Sequence, residues 1–140
     1  MGNISKMQTY ISREQDYALR ITATLAGLKN GEHLSVKELS QKLYISKIFA
    51  ARIVHNLKHK GIVGTKQGHT GGVYLNKDAN ELTVYDVLNA VGFKIKFNQC
   101  LCDDFNCNLV EKCGFHSFFY EQEHAFTQNM KAKKISEFLF

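Results

Sequence analysis

The 140-residue chain predicts a mainly α fold with a small β-wing and a long C-terminal helix. Three observations carry that expectation. Segments with apolar residues at helical spacing each open on a serine or threonine, two short β-type runs flank a glycine-rich tip, and an aromatic-rich helical segment follows an irregular stretch. The length corresponds to about one domain, at roughly 150 residues each. A hydrophobic share of 44% supports a core, and a charged share of 22% argues against wholesale disorder. No apolar run reaches the ~18–20 residues of a membrane span. Met1-Gly2-Asn3-Ile4-Ser5-Lys6 leads into a polar stretch without the apolar centre of a secretory signal, so a cytoplasmic chain with no membrane partner is expected.

The elements follow in order. Residues 12–29 read as a helix: Ser12 caps it, Glu14 and Asp16 suit its first turn, Tyr17, Ile21, Leu25 and Leu28 recur at helical spacing, and Asn30-Gly31 ends it. Ser35 and Glu38 have capping-box spacing for a second helix, 35–43, with Val36, Leu39 and Leu43 apolar. After the break Leu43-Tyr44-Ile45, Ser46 caps a third helix, 47–60, whose inward residues are expected to be Ile48/Phe49, Ile53 and Leu57, with Gly61 as the stop. Residues 62–66 and 72–75 read as strands around the tip Gln67-Gly68-His69-Thr70-Gly71. Thr83 caps a fourth helix carrying Val84, Val87, Leu88 and Val91. An irregular stretch, 93–114, precedes a helix over about 115–131 and an apolar coda, Ile135-Phe138-Leu139-Phe140.

Helix, short turn, helix and two-stranded ribbon is the order of a winged helix-turn-helix. In that arrangement helix 35–43 crosses the nucleic-acid backbone and helix 47–60 enters the major groove N-terminus first. Ser46, Lys47, Phe49 and Arg52 then lie near bases or phosphates, and the ribbon tip brings Lys66, Gln67, Gly68 and His69 to the minor groove. The charge falls on the same segment. Residues 1–99 hold 14 basic and 7 acidic side chains, against 4 and 6 in residues 100–140, and residues 37–66 carry Lys37, Lys42, Lys47, Arg52, Lys58, Lys60 and Lys66 against Glu38 alone. Such a surplus is the footprint of a polyanion binder, although charge alone fits a solvated lysine-rich face equally.

Cysteine is absent from residues 1–99; all four, Cys100, Cys102, Cys107 and Cys113, fall within 14 residues. A secreted disulfide scaffold spreads its cysteines to close large loops. Thiols packed into one loop of a cytosolic chain read as metal ligands or redox thiols. Gaps of six or four residues, then five, with His116 three beyond Cys113, suit an iron–sulfur cluster wrapped by one loop better than a zinc knuckle. Cys100 and Cys102 are two apart, so if locally extended only one of them faces a given metal. No Walker loop, dinucleotide fingerprint or nucleophile–base constellation points to an enzyme or a small-molecule substrate.

Together, Ile11-Ser12 with Asp16-Tyr17-Ala18-Leu19-Arg20, Ile45-Ser46, Lys60-Gly61-Ile62-Val63, the wing residues Gly68, Gly71, Gly72, Tyr74 and Leu75, and the cysteine loop resemble the Rrf-two family of winged-helix transcription regulators, in its iron–sulfur cluster-binding branch. The resemblance runs from about residue 11 to the end. It implies an N-terminal extension over 1–10, a DNA-binding domain over 11–92, a cluster-binding loop over 93–114, and a dimerisation helix with C-terminal tail over 115–140. It further implies a homodimer on a palindromic double-stranded DNA operator, and a [2Fe–2S] or [4Fe–4S] cluster. Cys107 and Cys113 match the second and third family ligands, and Cys100, or alternatively Cys102, the first. For the fourth, both His116 and an Asp16 from the other subunit match family positions. The chain departs from the family at Gln67-Gly68, where an arginine often precedes the glycine, and at Ala51, where one branch has a glutamate. The resemblance thus implies a regulator, a repressor, that senses redox, nitric oxide or iron–sulfur status. The alternative is a winged-helix DNA-binding protein with a structural zinc or a thiol switch and no cluster.

Overall fold

The computed structural model describes residues 7–140. The reading of Met1 to Lys6, and with it most of the expected extension, lies outside the described residues.

Helix α1 (Arg13–Ala26) starts where Ser12 predicts. The Gln15 N–H donates to Ser12 Oγ and the Ser12 N–H to Gln15 Oε1, so two orphan donors are satisfied reciprocally. It ends at Ala26 rather than at 29, because the Gly27 and Leu28 N–H groups bond back three residues, to Thr24 and Leu25, and tighten the last turn. Asn30 and Gly31, at φ +87°, turn the chain instead of capping the helix.

Helices α2 (Val36–Leu43) and α3 (Lys47–His59) form the helix-turn-helix. Ser35 and Glu38 make the expected capping box. The Glu38 carboxyl is held below the ordinary carboxylate range, first by the Ser35 backbone N–H and then by the Ser35 side chain. Between the helices Tyr44 adopts φ +56°, alone among the described non-glycine residues in the left-handed region, and Ile45 is buried. The face of α3 turned to the core is Ala50, Ile53, Val54 and Leu57. Ile48, expected inward, is 85% exposed. It lies two residues before Ala50, which at 100° per residue puts it across the helix from the core.

Strands β1 (Val63–Lys66) and β2 (Gly72–Leu75) pair antiparallel, with Val63 opposite Leu75 and Lys66 opposite Gly72. Leu34 and Val73 exchange both backbone hydrogen bonds, which stitches this wing to the lead-in of α2. The tip needs its glycines: Gly68 sits at φ +104°, and a Cβ on Gly71 would run into the Lys66 carbonyl oxygen.

Helix α4 (Val84–Ala90), capped by Thr83 and Asp86, closes the head. The irregular stretch holds two short 3₁₀ turns, Gln99–Leu101 and Val110–Lys112, before helix α5 (Gly114–Ala132). The core joins Ile21, Leu39, Ile53, Leu57, Val63, Val73 and Val87. Burial of such side chains contributes about 1.5–3 kcal/mol each. Ile135 of the coda belongs to the same core. The tail runs back along the head, where the Val84 N–H donates to the Lys133 carbonyl and the Ile135 N–H to that of Leu82. The residues beyond Ala132 therefore pack as part of the head rather than as an extension of α5. Among the described residues no helix is long and apolar enough to cross a membrane.

Candidate DNA-reading face and cysteine pocket

The outward side of α3 and the wing tip carry the candidate nucleic-acid contacts. Lys47, Arg52, Lys66, Gln67, Gly68 and His69 are all exposed there. Ser46 and Phe49, expected near the nucleic acid, also hold the helix in place. The Ser46 hydroxyl oxygen accepts the Phe49 N–H at 3.1 Å. The half-buried Phe49 ring stands edge-on to Tyr17, 5.8 Å between centroids, with the Arg13 guanidinium 4.6 Å and that of Arg52 5.4 Å from its centre. Glu14 braces α1 on α3, accepting from the Asn56 amide at 2.8 Å and lying 3.7 Å from Arg52. These contacts position α3 against α1 and leave Lys47 open, while Arg52, paired with Glu14, is still 61% exposed. A His33 ring nitrogen against the Thr70 carbonyl ties the wing tip to the head.

The structure brings four of the six candidate ligands to one place. Cys100, Cys107, Cys113 and His116 line a cavity of about 240 Å³ between the loop and the start of α5, walled by Phe115 and Phe119. The loop folds this way because the 3₁₀ turns bend it back on itself, and because Cys113 is the N-cap residue of α5 and so carries His116 one turn on. The sulfurs already accept hydrogen bonds: Cys107 Sγ from the Leu109 N–H at 3.4 Å, and Cys100 Sγ from the Asn98 amide at 3.6 Å. Such bonds stabilise negative charge on sulfur and tune clusters. His116 Nδ1 is buried without a hydrogen-bond partner. A buried imidazole nitrogen without a partner is costly, and a ligand would satisfy it. All four cysteines are free thiols, and among the described residues no three His, Cys, Asp or Glu side chains converge closely enough to hold a metal ion.

Two candidates fall elsewhere. Cys102 does not line the cavity, although its carbonyl closes a turn by accepting the Phe105 N–H. Asp16 lies on α1, where its carboxylate takes the Arg20 guanidinium at 3.1 Å beside a different groove lined by Phe138 and Phe140.

Sequence reasoning did not single out Glu123, which fastens the loop to α5. Its carboxylate accepts the Phe97 N–H at 3.0 Å and lies 3.9 Å from Lys96 Nζ, while Phe97 packs on Phe126. Nothing local marks such a residue, since its partners are 26 and 27 positions away. A hydrogen bond to a charged group contributes about 1.5 kcal/mol or more. Glu123→Ala is therefore expected to speed amide exchange at Phe97 by about tenfold or more, and unchanged exchange would remove Glu123 from this role.

This head, a helix-turn-helix with a cationic second helix and a two-stranded wing, defines a winged-helix protein. The chain belongs to the Rrf2 (Rrf-two) family, described as an iron-dependent transcriptional regulator, whose pattern matches residues 11–139. The protein aau3 of Rhizobium meliloti is 28% identical over 129 residues, 91% of this chain and 82% of that protein. The HTH-type transcriptional regulator NsrR of Bacillus subtilis is 31% identical over 94 residues, 67% of this chain and 63% of that protein. Among solved structures, a transcriptional regulator from Listeria innocua superposes with a TM-score of 0.76 at 22% identity, covering 92% of this chain and 85% of its own. The global cysteine regulator CymR of B. subtilis does so at 0.72 and 18%, covering 95% and 97%. IscR of T. potens does so at 0.70 and 17%, covering 98% and 89%. At these identities the three structures speak for the fold alone.

Proposed function

We propose that this regulator acts as a homodimeric repressor on a palindromic DNA operator, and that it senses redox, nitric oxide or iron–sulfur status through a cluster held by Cys100, Cys107, Cys113 and His116. The observation that carries the proposal is that Cys100, Cys107, Cys113 and His116 line one cavity, and that the buried Nδ1 of His116 has no hydrogen-bond partner. The donor set suits a [2Fe–2S] or [4Fe–4S] group, which when bound supplies a centre that oxidants and nitric oxide alter. His116 is preferred to Asp16 as the fourth ligand, because Asp16 is engaged with Arg20 and could serve only from a second subunit.

The chain's own residues connect the pocket to the reading head. Cys113 is the N-cap of α5 and His116 lies in its first turn, and Glu123 binds the loop to the same helix two turns on. A change at the sulfurs is thus transmitted to α5. That helix has no fully buried residue over its 19 positions, and Phe115 and Phe118 are 70% and 51% exposed. A second copy of α5 would cover this aromatic stripe and set the spacing of two α3 helices, with half-sites about one helical turn, roughly 34–36 Å, or a multiple apart. A coupling of about 1–3 kcal/mol between pocket and DNA suffices for regulation.

The test is anaerobic purification followed by a visible spectrum with iron and sulfide counts. A brown protein with near-stoichiometric sulfide supports the cluster. A colourless zinc protein overturns it in favour of a structural metal, and a colourless protein without metal after reconstitution overturns it in favour of a thiol switch. For the DNA half, Lys47→Ala is expected to weaken binding to a selected operator and to flatten the slope of log K against log salt by about 0.9, the release of one phosphate's counterion. An unchanged slope would take Lys47 out of the interface.

A further inference from the structure

The outward face of α3 is not uniformly polar. Ile48 and Ala51, three residues apart and so on one side of the helix, are both exposed, Ile48 to 85%. The core face of the same helix is already filled by Ala50, Ile53, Val54 and Leu57, so Ile48 is not a displaced core residue. Its neighbours along the helix are open: Lys47 and Arg52, one and four positions away, are both exposed. An apolar side chain flanked by these two cations fits a polyanion that presents a small apolar group, and it fits an apolar protein surface poorly, since the cations would lose their water.

We infer that Ile48, with Ala51 beside it, reads thymine in the major groove by packing on the C5-methyl group, while Lys47 and Arg52 hold the flanking phosphates. This rests on the DNA-binding reading above. Ile48 occupies the first turn of α3, the part of a recognition helix that reaches base edges. Its side chain has no donor or acceptor, so it cannot pair with guanine O6 and N7 or with the cytosine amino group. The thymine methyl is the apolar feature that the major groove displays. A G·C pair set against Ile48 would lose water from its polar edge and gain no partner, which selects against it.

The probe is a duplex selected by the wild-type chain from a pool with a random core. The selected half-site is expected to contain a constant thymine, and replacing that dT by dU removes the methyl alone. Wild-type affinity should fall about fourfold per methyl, the worth of one buried group of that size. Ile48→Ala, which alters an exposed side chain and should leave the melting temperature unchanged, should bind the dT and dU duplexes equally. Equal wild-type affinity for both duplexes would overturn the inference while leaving DNA binding intact. An Ile48→Ala variant that still loses fourfold on the dU duplex would assign the methyl to another residue and overturn it as well. Failure of the wild type to enrich any duplex would overturn this inference together with the reading beneath it.

Discussion

Replacing Cys107 or Cys113 by alanine is expected to abolish retention of iron and sulfide. A thiolate removed from the ligand set cannot be replaced from the cavity wall, because the remaining lining there is aromatic and aliphatic apart from the Asn98 and Gln99 amides. All four cysteines are only half-buried, so the fold should survive each substitution. The informative contrast is between Cys100 and Cys102, which spacing alone left open. Cys100 lines the cavity and already accepts the Asn98 amide on its sulfur, whereas Cys102 does not line it. Cys100→Ala should therefore lose the cluster and Cys102→Ala should keep it. Visible absorption with iron and sulfide counted per chain decides the matter. Stoichiometric iron and sulfide in Cys107→Ala would refute the ligand assignment, and loss in Cys102→Ala with retention in Cys100→Ala would exchange the two.

Ile135→Ala should destabilise the head by about 2–5 kcal/mol, the usual cost of emptying a buried isoleucine site. Ile135 is 1% exposed and packs in the core formed by α1 to α4, although more than 40 residues separate it from the last helix of that core. Leu139, four residues on and 62% exposed, provides the control, since Leu139→Ala should stay within about 0.5 kcal/mol. Both are read by denaturant unfolding at one protein concentration, because the proposed dimerisation would make stability depend on concentration. Equal effects at the two positions would mean that the tail does not anchor the head.

Much of the head was legible because its signals are local. Ser12, Ser35, Ser46 and Thr83 each cap the helix expected of them, since a cap is decided by a side chain and a backbone N–H within three residues. The wing was equally plain, because tight turns need glycine at particular φ values. Where the end of α1 and the orientation of Ile48 came out differently, the local pattern was ambiguous. Leu28 continues the apolar spacing beyond the true end at Ala26, and two adjacent apolar residues, Ile48 and Phe49, cannot both face inward.

The order of elements, the concentration of positive charge on residues 37–66 and the confinement of every cysteine to one loop follow from the sequence by itself, together with the resemblance to a regulator family. Those properties depend on residue type and short-range spacing. Only the tertiary structure shows that Cys100, Cys107, Cys113 and His116 line one cavity, which Cys102 and Asp16 do not. It alone also returned Ile135 to the core, fastened the loop through Glu123, and turned Ile48 outward on the reading helix. The reason is common to all four. Each outcome depends on which residues far apart in the chain come to share a volume, and that is set by packing around one core rather than by the neighbours of any residue in the sequence.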